Sequence, residues 1–121
     1  MNSIAKTSID PTIQFSTLTI DGTDYKLAYS FNSIAIAEHE AKTNLLEGLL
    51  NLSSLNASQL RGLLYGSMLL AQPKTSIHEA GSLIRLDTIG PVTQAIAEAY
   101  SLSLPPSKKN ETDLPTDEPK Q

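Results

Sequence analysis

The residues best suited to chemistry in this chain are two short clusters that contain histidine. The first is Glu38-His39-Glu40 and the second is His78-Glu79. Successive residues of a helix point about 100° apart, so the three side chains of the first cluster cannot converge on one metal ion. The second cluster lacks the second histidine of an HExxH zinc site, and its glutamate has the spacing of a helix cap. Neither cluster predicts catalysis or metal binding.

Other catalytic and ligand-binding patterns are also missing from the sequence. No serine lies in a Gly-x-Ser-x-Gly elbow, and no glycine-rich phosphate loop follows a predicted strand. Asp21 and Asp24 lack the ligand pattern of a calcium loop. The chain has no cysteine, which excludes disulfides, thiolate metal sites and cysteine nucleophiles. We therefore expect no enzyme activity, no metal and no cofactor.

The composition is typical of a small protein with an aliphatic core. Hydrophobic residues make up 40% of the 121 residues, aromatic residues only 5%, and tryptophan is absent, which favours helix packing. The formal charge is −4 and the basic residues are scattered, whereas nucleic-acid binding needs clustered positive charge. No stretch approaches the ~18 apolar residues of a membrane span, and the N-terminus lacks a signal-peptide pattern. We expect a soluble protein that binds no nucleic acid and no membrane.

Local patterns predict a mostly helical α+β fold: an N-terminal β-hairpin followed by four to five packed helices. Residues 12–29 alternate around a turn at Asp21–Asp24, which is typical of a hairpin. Helical spacing and capping residues predict a helix over Ile34–Lys42, capped by Asn32 or Ser33, and a short turn or helix over Asn44–Leu50. A longer helix is predicted over Ala57–Ala71, capped by Asn56. Two more follow, one from Ile77 to about Leu86 and one over Thr88–Leu102 with Pro91 in its first turn. The chain divides into a flexible leader (1–11), one domain (12–104) and a disordered polar tail (105–121).

The helix predicted over Ala57–Ala71 is the most apolar of the chain. One face carries Leu60, Leu63, Leu64, Ser67, Met68 and Ala71, and the other carries Ser58, Gly62 and Gly66, flanked by Tyr65 and Leu69. Glycine costs about 1 kcal/mol relative to alanine in a helix interior, so two glycines indicate the close approach of another backbone. This helix is therefore predicted to be buried, either as the central core helix or against a partner.

A series of structure-setting motifs runs from the hairpin to the last helix. In chain order they are Thr19-Ile20-Asp21-Gly22 with Tyr25-Lys26-Leu27, Phe31-Asn32 with Ala35–Glu40, Leu60-Arg61-Gly62-Leu63-Leu64 through Met68-Leu69, Leu83-Ile84-Arg85-Leu86-Asp87, and Ala95–Leu104. This order resembles the tail assembly chaperones of long-tailed, siphovirus-like bacteriophages over about residues 17–104.

The resemblance implies a function without catalysis. Members of this family bind the tape measure protein and the tail tube subunit in the host cytoplasm during infection, and they are absent from the mature virion. Many also exist in a longer form that arises by ribosomal frameshifting near the end of the short reading frame. An A-rich slippery sequence could encode Lys108-Lys109, although two lysines in a polar tail are common without one.

A chaperone of this kind would cover an apolar helix of the tape measure protein, helix against groove. The candidate partner-binding residues lie in two apolar segments and are Leu45, Leu46, Leu49, Leu50, Gly62, Tyr65, Gly66 and Leu69. The small-residue helix face also allows self-association. Two alternatives stay open: a structural tail-completion or connector protein of the virion, and a small regulatory or antitoxin-like protein.

Overall fold

The structure is a computed structural model that describes residues 13–104. In this part of the chain, a two-stranded antiparallel hairpin is followed by five α-helices, as the sequence predicts. The elements are β1 (Ser16–Ile20), β2 (Thr23–Leu27), α1 (Phe31–Ala41), α2 (Leu45–Leu50), a 3-10 turn (Leu52–Ser54), α3 (Ala57–Met68), α4 (Ile77–Ser82) and α5 (Ile89–Ser103). The predicted leader and tail lie outside the described residues.

The hairpin turn is tighter than the sequence predicts. Ile20 pairs with Thr23, so the turn contains only Asp21 and Gly22. Their φ angles are 52° and 82°, and two positive φ angles define a type I′ turn, whose twist matches that of the flanking strands. Along β1 buried and exposed residues alternate, so one face of the hairpin lies on the helices.

Helix α3 is the central core helix that its apolar sequence predicts. It contacts the other four helices and β2, and every residue from Gly62 to Met68 is buried. The predicted capping box is present at its start, because the Asn56 side chain accepts the Gln59 N–H (2.8 Å) and the Gln59 side chain accepts the Asn56 N–H (3.1 Å). The helix ends at Met68, three residues before the predicted end.

The side chain of Gln72 explains where α3 ends. Its Nε2 donates to the carbonyl of Met68 (2.9 Å) and to that of Lys26 in β2 (3.0 Å), and its Oε1 accepts the Lys26 N–H (2.9 Å). The amide therefore satisfies the end of the helix and the outer backbone groups of the strand together.

Glycines let α1 lie very close to α3. A β-carbon on Gly62 would stand 2.8 Å from the β-carbon of Ala41, and one on Gly66 would stand 3.0 Å from that of Ala37. Both distances are shorter than a normal carbon–carbon contact of about 3.5–4.0 Å. The close backbone approach predicted from the two glycines is thus made by α1.

Two more helix boundaries differ from the predictions because of side-chain hydrogen bonds. Helix α1 begins at Phe31, since Ser30 is its cap and forms a reciprocal capping box with Ser33 (3.1 and 3.0 Å). Helix α4 ends at Ser82 rather than near Leu86. The segment after it turns because Thr88 Oγ1 accepts the Arg85 N–H (2.7 Å) and donates to the Leu83 carbonyl (2.8 Å).

The last helix begins one residue later than predicted and ends one residue later. Pro91 lies in its first turn, where a missing N–H leaves no hydrogen bond unmade. Its buried side includes Val92, Ile96 and Ala99. Ile89 is 40% exposed because it stands at the helix start.

Two long-range contacts join the hairpin to the C-terminal part of the described chain. Ser16 Oγ, which is buried, donates to the carbonyl of Ala95 in α5 (2.9 Å). The Arg85 guanidinium binds both carboxylate oxygens of Asp21 (3.0 and 3.2 Å) and also reaches Asp87 (3.1 Å). These contacts set the hairpin on α5 and on the turn before it.

Tyr29 joins the segment after the hairpin to the centre of α3. Its hydroxyl, in the core, donates to the carbonyl of Leu63 (2.6 Å). Burial raises the pKa of Tyr29 well above its usual value, an effect larger than the opposite one of a hydrogen bond with Ser67. The phenol is therefore neutral and bonded in the folded protein over the physiological pH range.

Replacing Gly62 by alanine should destabilise the protein by about 1–2 kcal/mol. Overpacking typically costs about 1–3 kcal/mol and the better helix propensity of alanine returns at most about 1 kcal/mol. Gly81→Ala is the matched control, because its new β-carbon would meet only the flexible stem of the exposed Arg61 side chain (Cδ at 2.8 Å) and not another helix. Urea unfolding followed by circular dichroism measures both. Equal stability of the two variants would contradict the close packing of α1 on α3.

The buried Tyr29 phenol should make stability fall at alkaline pH. The pKa of Tyr29 is raised in the folded protein. The stability that the neutral buried phenol provides is therefore complete below the unfolded pKa of about 10 and is lost as the pH rises above that value. Tyr29→Phe should flatten the decline in free energy of unfolding measured by urea titration at a series of pH values from 8 to 11. Some decline should persist, because burial and, to a smaller extent, Glu40 raise the pKa of Tyr65. Identical slopes in both proteins would refute the assignment.

Candidate partner-binding site

Five of the eight predicted partner-binding residues are buried and cannot form an open surface, and three of these five lie on α3. Gly62, Tyr65 and Gly66 are buried, with Tyr65 only 8% exposed. Helix α1 already covers the small-residue face that these residues share, and Leu69 beside it is half-buried. The prediction that this face binds a partner protein is therefore wrong, because a helix of the same chain occupies it.

Helix α2 divides its four predicted leucines between the core and the surface. Leu45 and Leu49 are buried. Gly48, between them, also faces inward, and a β-carbon there would lie 3.1 Å from Leu55. Leu46 and Leu50 are 43% and 73% exposed. They stand four residues apart, so they are neighbours on one face of the helix. We call this pair the α2 surface.

The start of α2 is held by a carboxylate from α1. Glu38 Oε2 accepts the N–H groups of Leu45 (2.9 Å) and Leu46 (3.1 Å), and Asn44 Oδ1 accepts the N–H of Glu47 (3.0 Å). A negative charge at a helix N-terminus is favourable. Glu38 therefore has a structural role that fixes how α2 presents its exposed leucines.

A second apolar surface, which the sequence did not predict, lies where α3, α4 and α5 meet. It is a groove of about 490 Å³ lined by Leu55, Ala57, Ser58, Leu60, Arg61, Gly81, Ile84 and Ile89. Clefts that bind ligands typically have volumes of about 300–1,000 Å³. Arg61 provides the one charged side chain of the lining, so we call this surface the Arg61 groove. In the sequence, this groove is indicated only by Arg61 being the one charged residue of Ala57–Ala71.

The loop before α5 carries the most exposed apolar residue near this groove. Leu86 is 93% exposed and stands between Arg85 and Asp87. The hydrogen bonds that Arg85 donates to Asp21 and then to Asp87 raise the pKa of Arg85, and the bond from Arg85 lowers the pKa of Asp87. The ion pairs are exposed, so they orient the loop more than they stabilise the fold.

The titratable residues of the described chain do not gather into one site. Residues 13–104 contain no group of three or more His, Cys, Asp or Glu side chains placed to hold a metal ion. None of the five helices has the length and apolar character needed to cross a membrane. What the described surface does bring together is two sets of aliphatic side chains that are exposed or partly exposed, at the α2 surface and at the Arg61 groove.

The chain matches no protein-family model, no curated protein and no solved structure. The fold is a β-hairpin packed against five helices, with apolar surfaces on α2 and at the junction of α3, α4 and α5.

Tyr65→Asp should unfold the protein, whereas Leu50→Asp should leave its stability almost unchanged. The first buries a charge in the core and should cost several kcal/mol, enough to unfold a small domain. The second replaces an exposed side chain and should change the free energy of unfolding by less than about 0.5 kcal/mol. Circular dichroism and urea unfolding of both variants test this. A folded Tyr65→Asp protein would return this residue to the candidate surface.

Proposed function

We propose that this protein is a bacteriophage tail assembly chaperone. It acts in the host cytoplasm, binds the tape measure protein and the tail tube subunit while the tail is built, and catalyses no reaction. The proposal rests on the ordered motifs of the sequence and on how the structure relates those motifs to each other.

The observation that carries the proposal is the contact between two motifs that are far apart in the sequence. Asp21 belongs to the first motif and Arg85 to the fourth. Their side chains form a bidentate ion pair although they are 64 positions apart in the sequence. Gly22, in the same first motif, has the positive φ that the turn requires. The first and fourth motifs therefore contact each other in the fold, which supports treating their order as a family likeness.

The α2 surface is the part of the predicted site that a partner can reach. Leu46 and Leu50 lie side by side on one helix face, which suits the apolar stripe of an amphipathic helix from the tape measure protein. Full burial of a leucine side chain contributes about 1.5–3 kcal/mol. Because both leucines are already partly covered, together they would contribute a substantial part of the affinity rather than all of it.

The proposal predicts that the tagged protein captures the tape measure protein encoded in the same genome when the two are expressed together. Leu46→Asp combined with Leu50→Asp should weaken binding at least about tenfold, which corresponds to only 1.4 kcal/mol. Ile36→Asp is the matched control, since Ile36 on α1 is also exposed (51%). Binding is measured by calorimetry with the tape measure segment recovered from the co-purified complex.

Two outcomes of this experiment would contradict the chaperone proposal. Failure of the unmodified protein to bind the tape measure protein would reject it directly. Stoichiometric amounts in purified phage particles would favour a tail-completion or connector protein instead. If the gene is expressed with its native downstream DNA, intact mass spectrometry also tests for a longer, frameshifted product besides the 13.0 kDa chain.

A further inference from the structure

The Arg61 groove combines an apolar lining with one positive charge. Leu55, Ile84 and Ile89 provide aliphatic surface from three different parts of the chain. The stem of Arg61 lies against Gly81, where a β-carbon would come within 2.8 Å of Cδ. Within residues 13–104, the Arg61 guanidinium forms no ion pair. An occupant that fits this groove would offer one aliphatic side chain with carboxylates on either side of it.

The chain beyond the described residues contains one segment with that composition. Leu114 is the only aliphatic residue of positions 105–121. Acidic residues stand on both sides of it, namely Glu111, Asp113, Asp117 and Glu118. The segment 111–118 contains no basic residue, so its charge is opposite to that of Arg61.

The connection from α5 is long enough for this segment to reach the groove. Ile89, in the groove lining, is the first residue of α5, and the helix continues to Ser103. A helix of this length spans about 22 Å. Leu114 follows Leu104 by ten positions, and an extended chain of that length spans up to about 33 Å. Leu114 can therefore return along α5 to the groove with length to spare.

We propose that residues 111–118 bind in the Arg61 groove of their own chain, with Leu114 against Ile84 and Ile89 and a neighbouring carboxylate paired with Arg61. A short connection holds a segment at an effective concentration on the order of millimolar, so even a weak contact is substantially populated. The contact covers the groove against other proteins and involves no residue of the α2 surface. This contact within the chain does not depend on the proposed chaperone function.

A spin label near Leu114 tests this contact in the full-length chain. Because the chain has no cysteine, Thr116→Cys provides a single site for a nitroxide. Nuclear magnetic resonance then measures how strongly the label broadens the methyl signals of Ile84 and Ile89. Broadening should be strong, and Leu114→Asp should reduce it at least about twofold, because at millimolar effective concentration a weakened contact is mostly open. Arg61→Glu should reduce it as well.

Ser107→Asp is the matched control, because it adds the same charge to the tail and keeps Leu114. It should leave the broadening unchanged. Equal broadening with Leu114→Asp, or none in the unmodified sequence, would overturn the proposal. A mixture of spin-labelled chains with separate isotope-labelled chains identifies the source: broadening that persists in the mixture would assign the contact to a second copy and overturn the intramolecular arrangement.

Discussion

The close approach of α1 to α3 is the constraint on which the rest of the structure depends. Gly62 and Gly66 add no side chain to the contact, and the β-carbons of Ala41 and Ala37 lie only 2.8 and 3.0 Å from where β-carbons on these glycines would stand. Once α1 is placed there, its Glu38 stands at the start of α2 and accepts two of the free N–H groups of that helix. The outward direction of the exposed leucines on α2 thus follows from a packing contact made one helix away.

Local signals predicted those parts of the fold that are decided within a few residues. The caps at Asn56 and Ser76 were predictable because a polar residue and its glutamine or glutamate partner stand three positions apart. The hairpin was predictable from Asp21-Gly22 between alternating strands. Ser30 was missed because its partner is a second serine, a weaker sequence signal than glutamate.

Tertiary contacts decided the features that the sequence did not predict. The glycines of α3 indicate that some backbone comes close, but whether it belongs to the same chain or to a partner depends on where α1 folds. The early end of α4 depends on hydrogen bonds from Thr88. The Arg61 groove is formed by side chains from three segments, so no single stretch could reveal it. In the sequence the one available clue was that Arg61 is the only charged residue of Ala57–Ala71.

The contact between Gln72 and Lys26 has a consequence for how the protein behaves in a crowded solution. A two-stranded sheet has an edge on each strand, and the free N–H and C=O groups of an edge are a template for pairing with another chain. At Lys26 both backbone groups are already bonded to the Gln72 amide, which replaces one residue of a third strand. An incoming strand would find the backbone groups of Lys26 already bonded, so the side chain of Gln72, four residues beyond the end of α3, protects this position of the edge against edge-to-edge aggregation.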